Sequence, residues 1–430
     1  MKEVTFRITQ EQLANLGGLL AAKATEDLIL CECGKGEADF SPSTTRQSWS
    51  YRGPIRNDSC ESIQRTVSGS TGWHCVFASD LKQLMDSACR ADNCLWCCWD
   101  GVNLNAFAYE NTLMPVDVSL IVGSTLKIQL NGTAQEGKTS QSQLHERTIQ
   151  AFGSGTKEIL SHLTIGIAGV SGTGSIVAEQ LYRLGVKRLI LVDDDYVEER
   201  NLGRILYSSV GDATNQVNKA EMLKYAFDRT GLETETIAVP TTIGVSSTVR
   251  LLSQCDLVFG CLDSADGRMQ LNRISTFYSI PYIDLGVKLK SDCGTISEIS
   301  GSVRYIIPGQ ASLLSIGAIS QSRIESDALR RDDPIQYRER LKEKYIEGAQ
   351  EGSPAVISVN MYVASLAVLE FLNRVHEYRD MSNHEVEVLD VDLLDPRFRL
   401  SAPSNKDDAL AKHVGRGDCV PLLNMPGIGV

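Results

Sequence analysis

Three glycines, Gly169, Gly172 and Gly174, punctuate the stretch Gly169-Val170-Ser171-Gly172-Thr173-Gly174-Ser175. They fall where an apolar run without helical period (163–170) gives way to one with helical spacing (176–184). The pattern predicts strand, tight turn, helix. Glycine suits such a turn because the backbone must approach a phosphate closely, and because the N–H groups and positive dipole end of the next helix attract an anion. A second apolar run, 188–192, ends in Asp193-Asp194-Asp195, and Asp193 lies 193 − 174 = 19 positions after Gly174. That is about where a carboxylate meets a ribose hydroxyl in a dinucleotide site. Ser171 stands where the dinucleotide fingerprint has its second glycine, so the turn alone is also compatible with plain helix packing.

The residues that follow narrow the choice. Asp195-Tyr196-Val197-Glu198-Glu199-Arg200-Asn201-Leu202-Gly203-Arg204 resembles the Asp-x-Val-x-x-x-Asn-Leu-x-Arg signature of the ThiF and ubiquitin-activating-enzyme superfamily. A nicotinamide enzyme has no use for that Asn and Arg. The resemblance runs from about 147 to 372, and separated motifs agree in order and spacing. It implies adenylation of the C-terminus of a ubiquitin-like or sulfur-carrier protein, with ATP and magnesium as cofactors. It implies that Gly169, Gly172, Gly174, Asp193, Asp195 and Asn201 hold the nucleotide, and that Lys219, in Asn218-Lys219-Ala220, binds phosphate. Asp263, in Gly260-Cys261-Leu262-Asp263-Ser264, matches the magnesium aspartate, and Arg268 and Asn272 follow in supporting positions. Arg147, in His145-Glu146-Arg147-Thr148, matches the arginine that reaches into a neighbouring subunit's site, which implies a homodimer.

The chemistry agrees with that set. Attack of a carboxylate on an α-phosphate places negative charge on oxygens that need cations, and Arg147, Arg204, Lys219 and a magnesium ion on Asp263 would supply them. Positioning and electrostatics carry such transfers, so no general base is required. Taken singly, each basic residue is an ordinary solvated charge; it is their common register that argues for a site.

The elements that must position these residues follow from the rest of the pattern. Apolar runs alternating with helical segments (219–230, 236–239, 247–253, 257–261, 268–279, 282–285) predict a parallel sheet with ligands at its carboxyl strand ends. The expected fold class is α/β, a doubly wound Rossmann-like adenylation domain with a smaller N-terminal α+β domain. The expected division is 1–135 for the N-terminal domain, 140–400 for the adenylation domain with a crossover segment at 308–353, and 401–430 for a tail, with 132–142 as linker. Segments 295–299 and 303–307 read as a hairpin turning at Gly301, and 330–344 and 354–372 read as helices, the second matching the buried dimer-core helix of the superfamily.

Toward the N-terminus, Val4, Phe6 and Ile8 alternate as in a half-buried strand, and Thr9-Gln10-Glu11-Gln12 reads as a capping box. The stretch 34–71 is rich in Ser, Gly, Asp and Arg and reads as long loops; Ser79-Asp80 can cap a helix to about Ala91, and 94–99 is strand-like. This order faintly resembles the JAB/MPN metalloprotease domain, but no histidine occurs between His74 and His145, so a zinc peptidase here would lack its ligands. An unrelated α+β recognition domain is the other reading. Eight of the twelve cysteines precede residue 100, and Cys31-Glu32-Cys33 with Cys94-Leu95-Trp96-Cys97-Cys98 could build a tetrahedral zinc site or could simply be buried thiols.

Lys plus Arg at 42 against Asp plus Glu at 54 gives a net charge of −12, which opposes a broad role in nucleic-acid binding and disfavours a tRNA-modifying dehydratase of the same superfamily. No signal core or membrane span is evident, and the cytoplasm of a bacterium is the expected setting. Many relatives carry a zinc-binding Cys-x-x-Cys after Pro-Gly, and a thioester cysteine in the crossover; here Pro308-Gly309 is followed by Gln310-Ala311-Ser312-Leu313-Leu314-Ser315, with no cysteine between Cys293 and Cys419. A downstream conjugating enzyme could therefore receive the adenylate directly. Alternatively an ester could form on Ser312, Ser315 or Ser353, or a thioester on Cys293 or Cys419. A fold retained as a non-catalytic scaffold is the alternative from another class.

Overall fold

The computed structural model describes residues 2–22, 28–41, 44–58, 60–88, 91, 93–109, 112–130, 144–292, 294–342 and 355–417. Its first 130 residues begin β1 (Lys2–Thr9), α1 (Gln10–Ala21), β2 (Leu28–Ser41), β3 (Thr44–Asp58) and α2 (Cys60–Gly69). They continue β4 (His74–Ala78), α3 (Leu81–Ser87), β5 (Cys94–Trp99), β6 (Leu104–Tyr109), β7 (Leu113–Pro115), β8 (Val118–Val122) and β9 (Leu126–Leu130). The nine strands form one mixed sheet in the order β7-β6-β5-β4-β2-β3-β1-β8-β9. Val4, Phe6 and Ile8 are buried, but so are Glu3, Thr5 and Arg7, so β1 is a central strand covered on both faces rather than the half-buried one expected; Thr9 and Gln12 cap each other at the start of α1.

One reading is corrected here, and of the two alternatives for the cysteines the buried thiols are the one found. The polar stretch taken for loops is the long antiparallel pair β2–β3, followed by α2. Trp49, Tyr51 and Cys33 anchor one face of that pair, but register shifts between Leu30 and Cys31 and between Glu32 and Cys33 break the two-residue alternation that would have revealed it. The zinc site also fails. Cys31, Cys33, Cys75 and Cys97 lie in the core under α1, whereas Cys94 and Cys98 lie in the core on the other face. Residues three apart on a strand point to opposite sides, so Cys94 and Cys97 cannot share an ion. Among the described residues no group of three ligands could hold a metal.

The second half begins α4 (Glu146–Phe152), α5 (Ser154–Leu160), β10 (Thr164–Ala168), α6 (Gly174–Leu184), β11 (Arg188–Val192), α7 (Val210–Thr214) and α8 (Lys219–Thr230). Next come β12 (Glu235–Val239), α9 (Ser246–Leu252), β13 (Leu257–Gly260), α10 (Ala265–Phe277), β14 (Tyr282–Asp292) and β15 (Thr295–Ile306). It closes with α11 (Gln321–Asp332), α12 (Pro334–Lys342), α13 (Ile357–His376), β16 (Val388–Asp392), β17 (Arg397–Ser401) and α14 (Asp408–Ala411). The sheet order is β12-β11-β10-β13-β14-β15-β16-β17, parallel from β12 to β14 and antiparallel beyond. The chain winds outward from β10 first through β11 and β12, then through β13 and β14, so the order reverses between β10 and β13. That switch point opens a crevice at the carboxyl strand ends. Helices α6, α8 and α13 pack one face of the sheet and α9 and α10 the other, which is the doubly wound arrangement expected.

Gly301 is not a turn. It sits inside β15, which pairs with β14 along its length, and a Cβ there would come within 2.3 Å of Val363 on α13. Close helix packing, rather than chain reversal, is why glycine is needed. The helix expected at 330–344 is two helices, broken where Pro334 starts α12.

The two sheets meet along a buried polar seam at the amino ends of β10, β11 and β13. Arg46 Nη2 lies 2.7 Å from Asp256 Oδ1, and Asp256 Oδ2 also accepts the Thr164 N–H at 2.8 Å. Arg46 further donates to the Thr5 and Thr164 hydroxyls. Arg188 pairs with Glu3 at 3.1 Å, and Arg7 donates to the carbonyls of Ser253 and Tyr278. Burial alone would make these charges costly; mutual pairing is what allows them. After β17 the chain returns across α10, where Gly415 N–H meets Thr276 O, and reaches β2, whose Gly34 N–H donates to Gly415 O. The linker at 132–142, Cys293, Ser353, Cys419 and the end of the tail lie outside the described residues. Among the described residues no helix is long and apolar enough to cross a membrane.

Candidate nucleotide site

The turn from β10 into α6 is shaped by close backbone approach. Gly169 has φ 81° with Cys261 O beside it, and a Cβ on Gly174 would come within 1.8 Å of Gly169 O, so no other residue fits. Gly172 is buried and meets Arg204 and Asn360; a Cβ there would be 3.2 Å from Arg204 Cδ and 2.4 Å from Asn360 Nδ2. The turn therefore brings Arg204 from the loop after β11, and Asn360 from α13, to one place.

Asp193, one residue past β11, is 8% exposed and spans the crevice mouth. Its Oδ2 accepts the Val170 N–H at 2.8 Å and its Oδ1 the Asp195 N–H at 3.0 Å. Burial pushes its carboxyl up to about 6, against the pull of Lys219 and those two N–H donors. Each oxygen keeps a lone pair for a hydroxyl donor. Asn218 caps α8 through its Oδ1 while its Nδ2 donates to the Asp193 and Asp195 carbonyls. This places Lys219, 5% exposed, so that its Nζ lies 2.7 Å from Asp195 Oδ2. Asn201 accepts the Glu198 N–H and its carbonyl receives Arg204 N–H, folding the 198–204 run into a short turn.

Asp263 stands on the loop after β13, exposed, next to the strand whose end touches Gly169. It carries no hydrogen bond or ion pair among the described residues. Behind it, Asp284 of β14 is fully buried and accepts from Arg268, Arg304 and the Tyr282 hydroxyl. Burial, with Asp284 adding to it, drives the Cys261 thiol well above its ordinary range, so that thiol is a poor nucleophile at neutral pH. Arg268 was anticipated in a supporting position; its anchor Asp284 was not, though a carboxylate within the apolar run 282–285 was a signal. Asn218 and Asn360 were also missed. An Asn ahead of a helical run marks a cap, and an amide among the apolar residues that open α13 marks a contact.

Arg147 is not brought to this cluster. It is exposed on α4 and its side chain reaches Gln150 at 3.1 Å. His145, two residues before it, packs on Gly185 at the far end of α6, about 16 Å of helix from Gly174. Ser312 is buried and donates to Asp407 at 2.6 Å, and Ser315 donates to Asn405 O at 2.8 Å, so neither hydroxyl is open.

Residues 145–411, more than half of the chain, match the ThiF family. Among curated relatives, ubiquitin-like modifier-activating enzyme 5 of Drosophila willistoni is 26% identical over 164 residues, covering 36% of this chain and 39% of the relative. The protein of the same name from Caenorhabditis elegans is 27% identical over 185 residues, covering 41% and 42%. The chain thus spans about two fifths of the length of these curated relatives. Among solved structures, E. coli MccB with ATP aligns with a TM-score of 0.45 at 16% identity, over 64% of this chain and 74% of that one.

Proposed function

Because the chain belongs to the ThiF family, we propose that it is an ATP-dependent adenylyltransferase acting on the C-terminal carboxylate of a ubiquitin-like or sulfur-carrier protein, which it activates for transfer to a conjugation partner. The observation that carries this reading is the convergence of Gly172, Asp193, Arg204 and Lys219 at the ends of β10 and β11, with Asp263 at the neighbouring end of β13. The names of the curated relatives support the substrate class.

Gly172 and Gly174 let triphosphate oxygens approach the amino end of α6, and Asp193 accepts the ribose hydroxyls. A carboxylate oxygen of the substrate forms a bond to the α-phosphorus, the bond from that phosphorus to the bridging oxygen breaks, and pyrophosphate leaves with the electron pair. Arg204 and Lys219 neutralise the oxygens that gain charge, which requires Lys219 to leave Asp195 for phosphate. Asp263, exposed and unpartnered among the described residues, suits a hydrated magnesium ion, which takes one or two carboxylates together with phosphates and water. When bound, that ion would offset phosphate charge.

We further propose a homodimer in which Arg147 completes the partner's site. Its exposure far from the glycine turn supports this, as do the exposed Met361, Tyr362 and Leu369 on α13. With Ser312 and Ser315 engaged and Cys261 shielded, the acyl-adenylate passes directly to the partner's nucleophile, and any adduct on this chain resists reductant and yields to hydroxylamine. Exchange of labelled pyrophosphate into ATP, driven by a Gly-terminated ubiquitin-like protein, tests the activity. Absence of exchange with every candidate would leave a non-catalytic scaffold as the better reading.

A further inference from the structure

Asn360 stands where an apolar side chain is expected. It is 4% exposed and lies in register with Val363, Ala364, Ala367 and Phe371, the stripe that packs α13 into the core. A primary amide on such a stripe is ordinarily bonded, because a buried donor left without an acceptor costs free energy. The Asn360 side chain bonds to nothing among the described residues. Its Nδ2 points at the glycine turn instead, 2.4 Å from where a Cβ on Gly172 would stand. That direction follows from its place in the first turn of α13, since helical side chains lean toward the amino end.

Two helix ends meet there. At the start of α6, Thr173 makes no side-chain cap, and the N–H groups of Ser171, Gly172, Thr173 and Gly174 have no acceptor among the described residues. At the start of α13, Val356 offers no capping oxygen, and the N–H groups of Ile357 and Ser358 are likewise without an acceptor. Helices of 11 and 20 residues thus bring uncapped, positive ends to one place. Arg204 flanks the same glycine, its guanidinium meeting the Arg200 carbonyl at 3.4 Å and no carboxylate among the described residues. A single helix end is satisfied by water. Two ends, an amide donor and a guanidinium, with no carboxylate bonded to any of them, suit an anion that carries several oxygens.

We infer that Asn360 is a phosphate-contacting residue: its Nδ2 donates to a triphosphate oxygen of the nucleotide, so that the amino ends of α6 and α13 form one two-helix cradle. The inference deepens the adenylation reading and rests on the nucleotide half of it. The triphosphate, rather than the attacking carboxylate, is the anion because the donor lies against Gly172, inside the turn whose own N–H groups are free.

The test is isothermal titration of the full chain with magnesium ATP, with inorganic tripolyphosphate and with adenosine. Wild type is compared with Asn360→Asp, which keeps the shape but sets an acceptor beside Arg204, and with Asn360→Leu, which removes the donor. ATP and tripolyphosphate affinities are expected to fall about tenfold or more in both variants, further in Asn360→Asp, with adenosine affinity unchanged. Equal ATP affinity in the three proteins overturns the proposal and leaves the adenylation reading standing. An equal loss for adenosine overturns it as well, since a packing role would weaken every ligand alike. A raised KM for the protein substrate at unchanged ATP affinity overturns it in favour of the attacking carboxylate. Failure of the wild type to bind ATP overturns the adenylation reading together with it.

Discussion

Lys219 is tied to Asp195 twice, its Nζ 2.7 Å from the carboxylate and its backbone N–H 3.0 Å from the carbonyl. The ammonium is buried while the Asp195 side chain is largely exposed. A phosphate therefore finds the cation held in place and needs only to displace a solvated carboxylate. Lys219→Met should lower ATP–pyrophosphate exchange about 10²- to 10³-fold, the usual effect of removing one positioned donor to a developing anion. Asp263→Ala, at an exposed position, should abolish magnesium-dependent exchange with an unchanged melting curve. Full exchange by Asp263→Ala removes that residue from the site.

Arg147 and Asp263 belong to different copies in each proposed composite site. Co-expressing Arg147→Ala with Asp263→Ala at equal levels should restore about a quarter of wild-type exchange, because half the dimers are mixed and each holds one intact site of two. Neither variant alone should show it. A chain that sediments as a monomer at working concentrations would rule the arrangement out.

Burial raises Asp193 to about 6 from an ordinary carboxyl value near 4. A raised carboxyl means that the folded state holds its proton more tightly than the unfolded state. Stability contributed by this group is therefore present in acid, falls as pH rises from about 4 to 6, and stays lower above that, by roughly 3 kcal/mol. Urea titrations across this window should show the component in the wild type and not in Asp193→Asn. Equal slopes in the two proteins would refute it.

Arg46 and Asp256 form the centre of the seam between the sheets, both almost fully buried. Removing either partner strands the other charge, so Arg46→Ala or Asp256→Ala should each destabilise by about 3–5 kcal/mol in denaturant. The double change Arg46→Met with Asp256→Leu should fall well short of the sum of the two. Additive losses would mean that the two side chains act independently.

The second sheet was legible because its strands are short apolar runs and its helices carry caps and periodicity; the glycine turn and Asp193 fall at strand ends as the pattern expected, while Lys219, which only the family resemblance singled out, opens α8. The first sheet was far less so. β2 and β3 carry Gly34, Gly36, Ser48 and Ser50 in buried positions, small residues admitted by close contacts with α9 and the tail, and those contacts come from distant parts of the chain. Asp284 and Asp256 illustrate the same limit. A lone carboxylate in an apolar run announces a partner, but Arg304 and Arg46 are joined to them only by the fold. Gly301 misled in the opposite direction, since one residue type serves both a reversal and a crossing helix.

The seam has a mechanical corollary. Thr164, Arg188 and Asp256 mark the roots of β10, β11 and β13, and each is fastened to the first sheet. Strands rooted in this way cannot slide or fan relative to one another. Any closing motion over the crevice must then arise beyond these roots, in the connections at the opposite, carboxyl ends of the strands, while the strands act as a fixed anvil beneath them.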